Sequence, residues 1–252
     1  MSLQPETTFE LTDNLESVRR STVNQPFFRD MEKLWTDLLR VAAIVEDSLN
    51  QSIDVLVRNK SDLANDIINN EKMIDRWEIS IEEKCLTILA RHQPVASDLR
   101  RVAAVLKLNS LLERLSDLSS HIAIRSRKFN EANTGVRLSQ DFLNLAEASI
   151  EILTESLNTL TDGDSAQARK LLDGARFARI NRLRSSVRRD MKQAIRDNIE
   201  NFDSSLRIIN IARNFKRVAE HALDIAVETV YMKEGVIIRH QSLKQIGGDD
   251  VD

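Results

Sequence analysis

One cysteine, one tyrosine, three prolines and six glycines are all that 252 residues contain of those types, and each scarcity excludes something. A single thiol, Cys85, leaves no intramolecular disulfide and no Cys-x-x-Cys metal or redox motif. Pro5 and Pro26 lie near the N-terminus, so Pro94 is the only proline in the interior and long helices meet few breaks. No apolar run reaches the ~20 residues that span a bilayer. The opening MSLQPETTFELTDNLES has no basic segment followed by an apolar one, so no secretory signal is predicted. Charge of one sign is lacking too. With 36 basic and 39 acidic residues the net charge is −3, which removes any global attraction to nucleic acid or an anionic membrane. A Gly-rich phosphate loop and the Glu-x-x-His motif of di-iron bundles are absent. These exclusions predict a soluble protein of a reducing compartment, rich in helix.

What is present is apolar periodicity. Met31, Leu34, Leu38, Val41, Ile44, Val45 and Leu49 recur at three and four, predicting an amphipathic helix from about residue 27 to 59. Ser61 and Asp62 signal the start of a second helix that Pro94 ends near residue 92, and Ser97 or its neighbours open a third, closed by the polar NEANTGV. The same grammar repeats: a helix through LSQDFLNLAEASIEILTESLNTL, a fifth from about 165 to 196 capped by Asp164 or Ser165, and a sixth from about 199 to 234. Sliding LERLSDLSSHIA onto FKRVAEHALDIA pairs Arg114 with Arg217, Asp117 with Glu220, and Ile122-Ala123 with Ile225-Ala226. The fold class expected is all-α: two tandem three-helix bundles built from six long helices, related by an internal repeat. Helices of this length extend for about 45 Å, so the molecule is expected to be elongated.

The segment LLERLSDLSSH places Glu113, Asp117 and His121 four residues apart, a column on one helix face. A comparable column in the sixth helix reads Lys216, Glu220, Asp224 and Glu228, and the second helix supplies Glu71, Asp75 and Glu78. If helices two and three are antiparallel neighbours, their acids approach one another. Stacked carboxylates repel unless a cation neutralises them; hard oxygen donors suit magnesium, calcium or manganese, and an imidazole widens the choice to iron or zinc. Arg114 and Arg217 offer the competing explanation, salt bridges to the same acids. Spacing does not decide between them.

Other side chains read more plainly. Cys85 sits among apolar neighbours and is expected in the core, Trp35 and Trp77 within or beside the first bundle, and His92 and His240 at the surface near helix ends. The fifth helix concentrates Arg176, Arg179, Arg182, Arg184, Arg188 and Arg189, either a solvated face or a basic surface for an acidic partner. Without interleaved aromatics, nucleic acid is not expected as a partner.

The stretch RHQPVASDLRRVAAVLKLNSLLERLSDLSSHIA resembles the turn and third helix of the PhoU family, with its Gln-Pro-x-x-x-Asp-Leu-Arg and Leu-Glu-Arg-Ile-Gly-Asp motifs. Gln93, Pro94, Asp98, Leu99, Arg100, Leu112, Glu113, Arg114 and Asp117 occupy the matching positions, Ser116 replaces the usual glycine, and His121 stands where asparagine is frequent. ARNFKRVAEHALDIAVETVYMKEG resembles the second copy, and the likeness runs from roughly residue 27 to 240.

The resemblance implies a non-enzymatic cytoplasmic adaptor that forms a homodimer, restrains a Pst-type phosphate ABC transporter through its ATPase component, and quiets a phosphate-responsive sensor histidine kinase. The protein is then peripheral to the membrane only through its partners. It also implies a divalent or trivalent metal ion (magnesium, manganese, iron or zinc), with Glu71, Asp75, Glu113 and Asp117 as first-bundle ligands, His121 beside them, and Glu220 and Asp224 in the second bundle. There the pattern departs: Lys216 takes a glutamate position, and Ala178, Arg179 and Asn181 face it where acids are usual. The second site is therefore expected to be weak, altered or replaced by Lys216 salt bridges. Two other readings remain, a PhoU-like paralogue serving a different transporter and a metal-dependent hydrolase or ferroxidase. The expected organisation is a flexible segment over 1–26, bundles over 27–132 and 137–238, and a tail over 239–252.

Overall fold

The computed structural model describes residues 7–132 and 135–238, and the side chains from 25 onward within them. His240 and the 239–252 tail lie outside the described residues. Seven α-helices follow in order: α1 Thr7–Val57, α2 Ser61–His92, α3 Ala96–Glu131, α4 Gln140–Asp162, α5 Ser165–Leu171, α6 Ala175–Asp197 and α7 Phe202–Glu234, with a 3-10 turn at Ile199–Asn201. Six are long, and no strand occurs among the described residues. The first bundle is α1, α2 and α3; the second is α4, α6 and α7, with short α5 beside α7.

Three boundaries depart from the sequence reading. The first helix was expected from about 27 but begins at Thr7 and runs through Pro26, so the expected flexible segment is helical from residue 7. One lost N–H donor does not end so long a ladder. The fifth helix, expected to be continuous, breaks at Leu172 to Gly174: Gly174 takes φ 87°, a left-handed conformation open to glycine, and the Asp173 carboxylate accepts from the Ala175 N–H at 2.9 Å to restart the helix. The Asp-Gly pair in LLDGAR was the legible signal for this break. The sixth helix starts at Phe202, after Asn198 has turned the chain by accepting from the Glu200 N–H.

Elsewhere the local chemistry matches the elements. Ser139 caps α4 by accepting from Phe142 N–H, Gly163 ends it at φ 64°, and Asp164 caps α5 by accepting from Gln167 N–H. At the α2–α3 turn, Gln93 is left-handed and Val95 precedes α3 without a side-chain cap, so the expected cap at Ser97 or Asp98 does not form.

The bundles do not each close on a private core. One continuous apolar cluster runs from Phe27 through both halves to Ile238, because α3 packs on α7 and α1 on α4. Helix α3 is consequently buried around much of its circumference, and SDLSS supplies small side chains where three neighbours converge; Ser116 is 1% exposed and Ser119 returns its hydroxyl to the Ser116 carbonyl at 2.7 Å. Lys107 of α3 meets Glu228 of α7 at 3.2 Å and lies 4.3 Å from the Tyr231 ring centroid, while the Arg100 guanidinium lies against Gly235. As α3 advances α7 recedes, so the two are antiparallel.

Glu228 is 3% exposed, whereas the Lys107 side chain keeps a route to water. Removing the lysine takes a cationic partner from a buried carboxylate; removing the acid frees a cation to turn outward. Lys107→Ala is therefore expected to cost about 2–3 kcal/mol, and Glu228→Gln clearly less, as read by urea denaturation of both variants.

Candidate metal centre on the first bundle

Helices α2 and α3 are held antiparallel by hydrogen bonds at two levels. Asn109 Nδ2 donates to the Glu78 carbonyl at 2.8 Å, and Arg127 donates to Asn65 Oδ1 at 3.1 Å. Between these levels the sequence spacing puts Glu71, Asp75 and Glu78 on the α2 side, with Glu82 one turn beyond, opposite Glu113 and Asp117 on α3. The condition the sequence left open is met.

The acids feel one another. Burial pushes the Glu71 carboxyl above the usual carboxylate range, and Asp75 and Asp117 push it further. Glu78 is raised by burial, then by Glu82, Asp75 and Asp117. Glu113 is raised by burial, then by Asp117, Glu78 and Asp75. Arg114 opposes the rise at Glu78 and Glu113 without forming an ion pair with either, so the salt-bridge alternative does not account for this face. His121 is exposed, and its charge reaches Glu71.

Glu71, Asp75, Glu113 and Asp117 thus share one surface, with His121 at its edge. Among the described residues, no three His, Cys, Asp or Glu side chains are gathered tightly enough to form a finished ligand set. The donor chemistry nevertheless fits a hard cation. Several carboxylates of two facing helices stand in one field with no cationic side chain bridging them, and a bound ion would relieve that repulsion.

The second bundle is arranged differently. Lys216 pairs with Glu220 at 3.4 Å and lies 5.8 Å from the Phe177 ring centroid. Asp224 stands 3.5 Å from His221 and, with Lys107, Arg114 and Glu228, lines a cleft of about 340 Å³ between α3 and α7. The expected column Lys216, Glu220, Asp224, Glu228 is therefore divided among three separate contacts. Glu220 and Asp224 are not brought to the first-bundle acids.

Two further placements correct or extend the sequence reading. His92 is not a surface residue: its side chain is 14% exposed, pairs with Asp30 at 2.9 Å and meets Phe27 edge-on, and the Asp30 carboxyl is lowered chiefly by that hydrogen bond. Cys85 is fully buried and its thiol is pushed up to about 12, an inert core residue as expected. Trp35 and Trp77 pack against the core, as expected. The Lys107–Glu228 pair and the Thr154–Glu46 hydrogen bond between α4 and α1 were not foreseen. Their partners lie more than a hundred residues apart, where no periodicity connects them.

The raised carboxyls fix a sign for pH dependence. Glu71, Glu78 and Glu113 hold protons more tightly folded than unfolded, so their ionisation opposes folding above their folded values, and the penalty is relieved as pH falls toward the ordinary value of 4.5. Chelator-treated protein is expected to gain thermal stability on going from pH 7 to about pH 5, and Glu113→Gln to flatten that gain. Differential scanning calorimetry across the range measures both.

Fold and surface define a class: a tandem pair of three-helix bundles, without a strand among the described residues, carrying a carboxylate face on two helices of the first. Comparison with known proteins makes the class specific. The family model for the PhoU domain matches residues 38–125 and 142–229, one copy per bundle. The chain belongs to the PhoU family. It is 25% identical over 220 residues to a phosphate-specific transport system accessory protein PhoU homologue of Aquifex aeolicus, covering 87% of this chain and 98% of that one. It is 28% identical over 231 residues to the homologue of Pseudomonas aeruginosa, covering 89% and 92%. The crystal structure of PhoU from Pseudomonas aeruginosa superposes with a TM-score of 0.78 at 26% identity, covering 83% of this chain and all of that one. The Streptococcus pneumoniae phosphate transport system regulatory protein PhoU shares the fold at 20% identity, with a TM-score of 0.74 over 84% and 98% of the two chains. Among the described residues no helix is long and apolar enough to cross a membrane.

Proposed function

We propose that this protein is a non-enzymatic accessory protein of a phosphate-specific ABC transporter. It works as a cytoplasmic adaptor that engages the transporter's ATPase component and restrains uptake when phosphate is plentiful, and it holds a phosphate-responsive sensor histidine kinase quiet under the same conditions. The observation that carries this reading is coverage: both bundles match the family, and the accessory proteins it resembles are spanned almost end to end. The α2–α3 face supports a metal-dependent form of the contact. Glu71, Asp75, Glu113 and Asp117 would hold a divalent or trivalent cation, with His121 beside them, and bound metal would convert a repelling acidic surface into one that accepts an anionic or neutral partner. The adaptor is expected to act as a homodimer.

One feature supports a second reading, a relative adapted to another transporter: Lys216, Ala178, Arg179 and Asn181 stand where the resemblance leads acids to be expected. Deleting the gene separates the two. Under the first reading a phosphate-starvation reporter becomes active at high phosphate and phosphate uptake rises, both reversed by the wild-type gene. An unchanged reporter and unchanged uptake would discard the phosphate assignment.

A further inference from the structure

Five of the eleven large apolar side chains left exposed among the described residues gather at one end of the molecule: Phe28 on α1, Val95 and Leu99 at the α2–α3 turn, and Val236 and Ile237 just past α7. Three contacts bring these segments together. Phe27, edge-on to Phe28, also meets His92 of α2; the Arg100 guanidinium lies against Gly235; and Phe28, Arg101 and Met232 line one groove. That groove, of about 330 Å³, is floored by Met31, Trp35, Leu160 and Met232 and rimmed by the exposed Glu32, Asp162 and Lys233. Monomers seldom leave so much apolar surface together unless something covers it.

A second groove adjoins the first and shares Glu32 with it. It runs between α1 and α2, and its charges do not balance: Asp30 is taken by His92 and Asp37 by Lys84, which leaves Arg29, Lys33 and Arg91 against Glu32. None of these three cations forms an ion pair among the described residues, and neither do Glu32 and Asp162. An occupant that fits both grooves presents apolar side chains and a cation to the first and acids to the second. Residues 239–252 of the same chain carry these in that order: Leu243, Lys244 and Ile246, then Gly247 and Gly248, then Asp249 and Asp250. They also start in the right place. Ile238 is buried in the shared core, and Met232 and Lys233 of the first groove lie within two turns before it. The five residues from Ile238 to Leu243 reach up to about 17 Å.

We propose that residues 239–252 fold back over this end as a cover, with Leu243 and Ile246 seated on Trp35 and Met232 in the first groove, Lys244 at Glu32 and Asp162, and Asp249 and Asp250 at Arg29, Lys33 and Arg91 in the second. Gly247 and Gly248 let the backbone turn between the grooves. Apolar contact supplies the attraction, and the charges set its direction, since the reverse orientation brings lysine to arginine and aspartate to aspartate. While seated, the tail closes both grooves to any other molecule, so this end is a docking surface that the chain itself keeps covered. The inference rests on neither the transporter assignment nor metal binding.

The test is Trp35 fluorescence in a Trp77→Phe background, which leaves one tryptophan, on the full chain and on a chain ending at Ile238. Removing the tail is expected to move the Trp35 emission to longer wavelength and to make it more readily quenched by acrylamide, equally at every protein concentration. A synthetic peptide of residues 239–252 added to the shortened chain is expected to reverse both changes saturably, with a dissociation constant in roughly the millimolar range, the order of effective concentration that a short linker supplies. Reversal also shows that the shortened chain is folded. In the full chain, Leu243→Asp/Ile246→Asp is expected to reproduce the shortened form. Identical Trp35 emission with and without the tail overturns the proposal, as does a peptide that leaves the shortened chain unchanged or a Leu243→Asp/Ile246→Asp chain that emits like the unaltered one. A difference that grows with protein concentration also overturns it, because the tail would then be reaching a second copy.

Discussion

Phe215→Ala is expected to lower stability by about 3–5 kcal/mol, the largest effect of any single side-chain truncation proposed for the second bundle. Phe215 is fully buried in the middle of α7, and its ring meets Phe142 of α4 at 6.2 Å and 81°, an edge-to-face pair that ties the two helices together. Truncation leaves a cavity between helices held rigidly on their other faces, so collapse around it is limited. A domain stable by about 5–15 kcal/mol loses a large fraction of that. In urea denaturation the midpoint is expected to fall with the slope unchanged, and Phe215→Leu to recover much of the loss. An exposed replacement such as Lys192→Ala, on the outer face of α6, is expected to stay within about 0.5 kcal/mol. If Phe215→Ala were equally mild, the shared core would not be the source of the bundle's stability.

The second large effect concerns metal. Elemental mass spectrometry of the purified protein is expected to find bound metal in wild type and none in Glu113→Ala/Asp117→Ala, because the double replacement removes the α3 half of a face whose α2 half is Glu71 and Asp75. Lys216→Glu is expected to add metal. It exchanges an ammonium paired with Glu220 for a carboxylate beside it, converting mutual neutralisation into the repulsion that a cation relieves. Metal in wild type that survives the double replacement would place the site elsewhere. No metal in any variant would leave the α2–α3 acids as partner-facing charge.

What was legible in the sequence was whatever local spacing specifies. Apolar residues at three and four gave six long helices, the matched charges of the third and last helices gave the repeat, and the acids of α2 and α3 could be placed on facing sides once the helices were antiparallel. What was not legible depends on contacts between the repeats. Nothing in the column Lys216, Glu220, Asp224, Glu228 announces that Glu228 turns to Lys107 of the other bundle. His92 looked like a helix-end residue because Asp30, its partner, lies 62 positions away on α1. The break before α6 is local: Gly174 leaves the helix at φ 87° and Asp173 restarts it, while the helical spacing of the residues on either side continues across the gap.

The acids of the α2–α3 face and the arginines of α6 fit the adaptor proposed above, whose chemistry would lie in its contacts. The arginines of α6 are not interleaved with exposed aromatics, its Phe177 being buried. They also leave the second bundle unlike the first in the charge it presents, so a partner meeting both halves meets two different surfaces.

The most direct test of the central claim is whether the purified full-length chain binds the ATPase component of the phosphate-specific transporter encoded in the same cell, measured by isothermal titration calorimetry with metal present and after chelation. The account predicts saturable binding that weakens on chelation and is lost in Glu113→Ala/Asp117→Ala. No heat with that ATPase under either condition would contradict it.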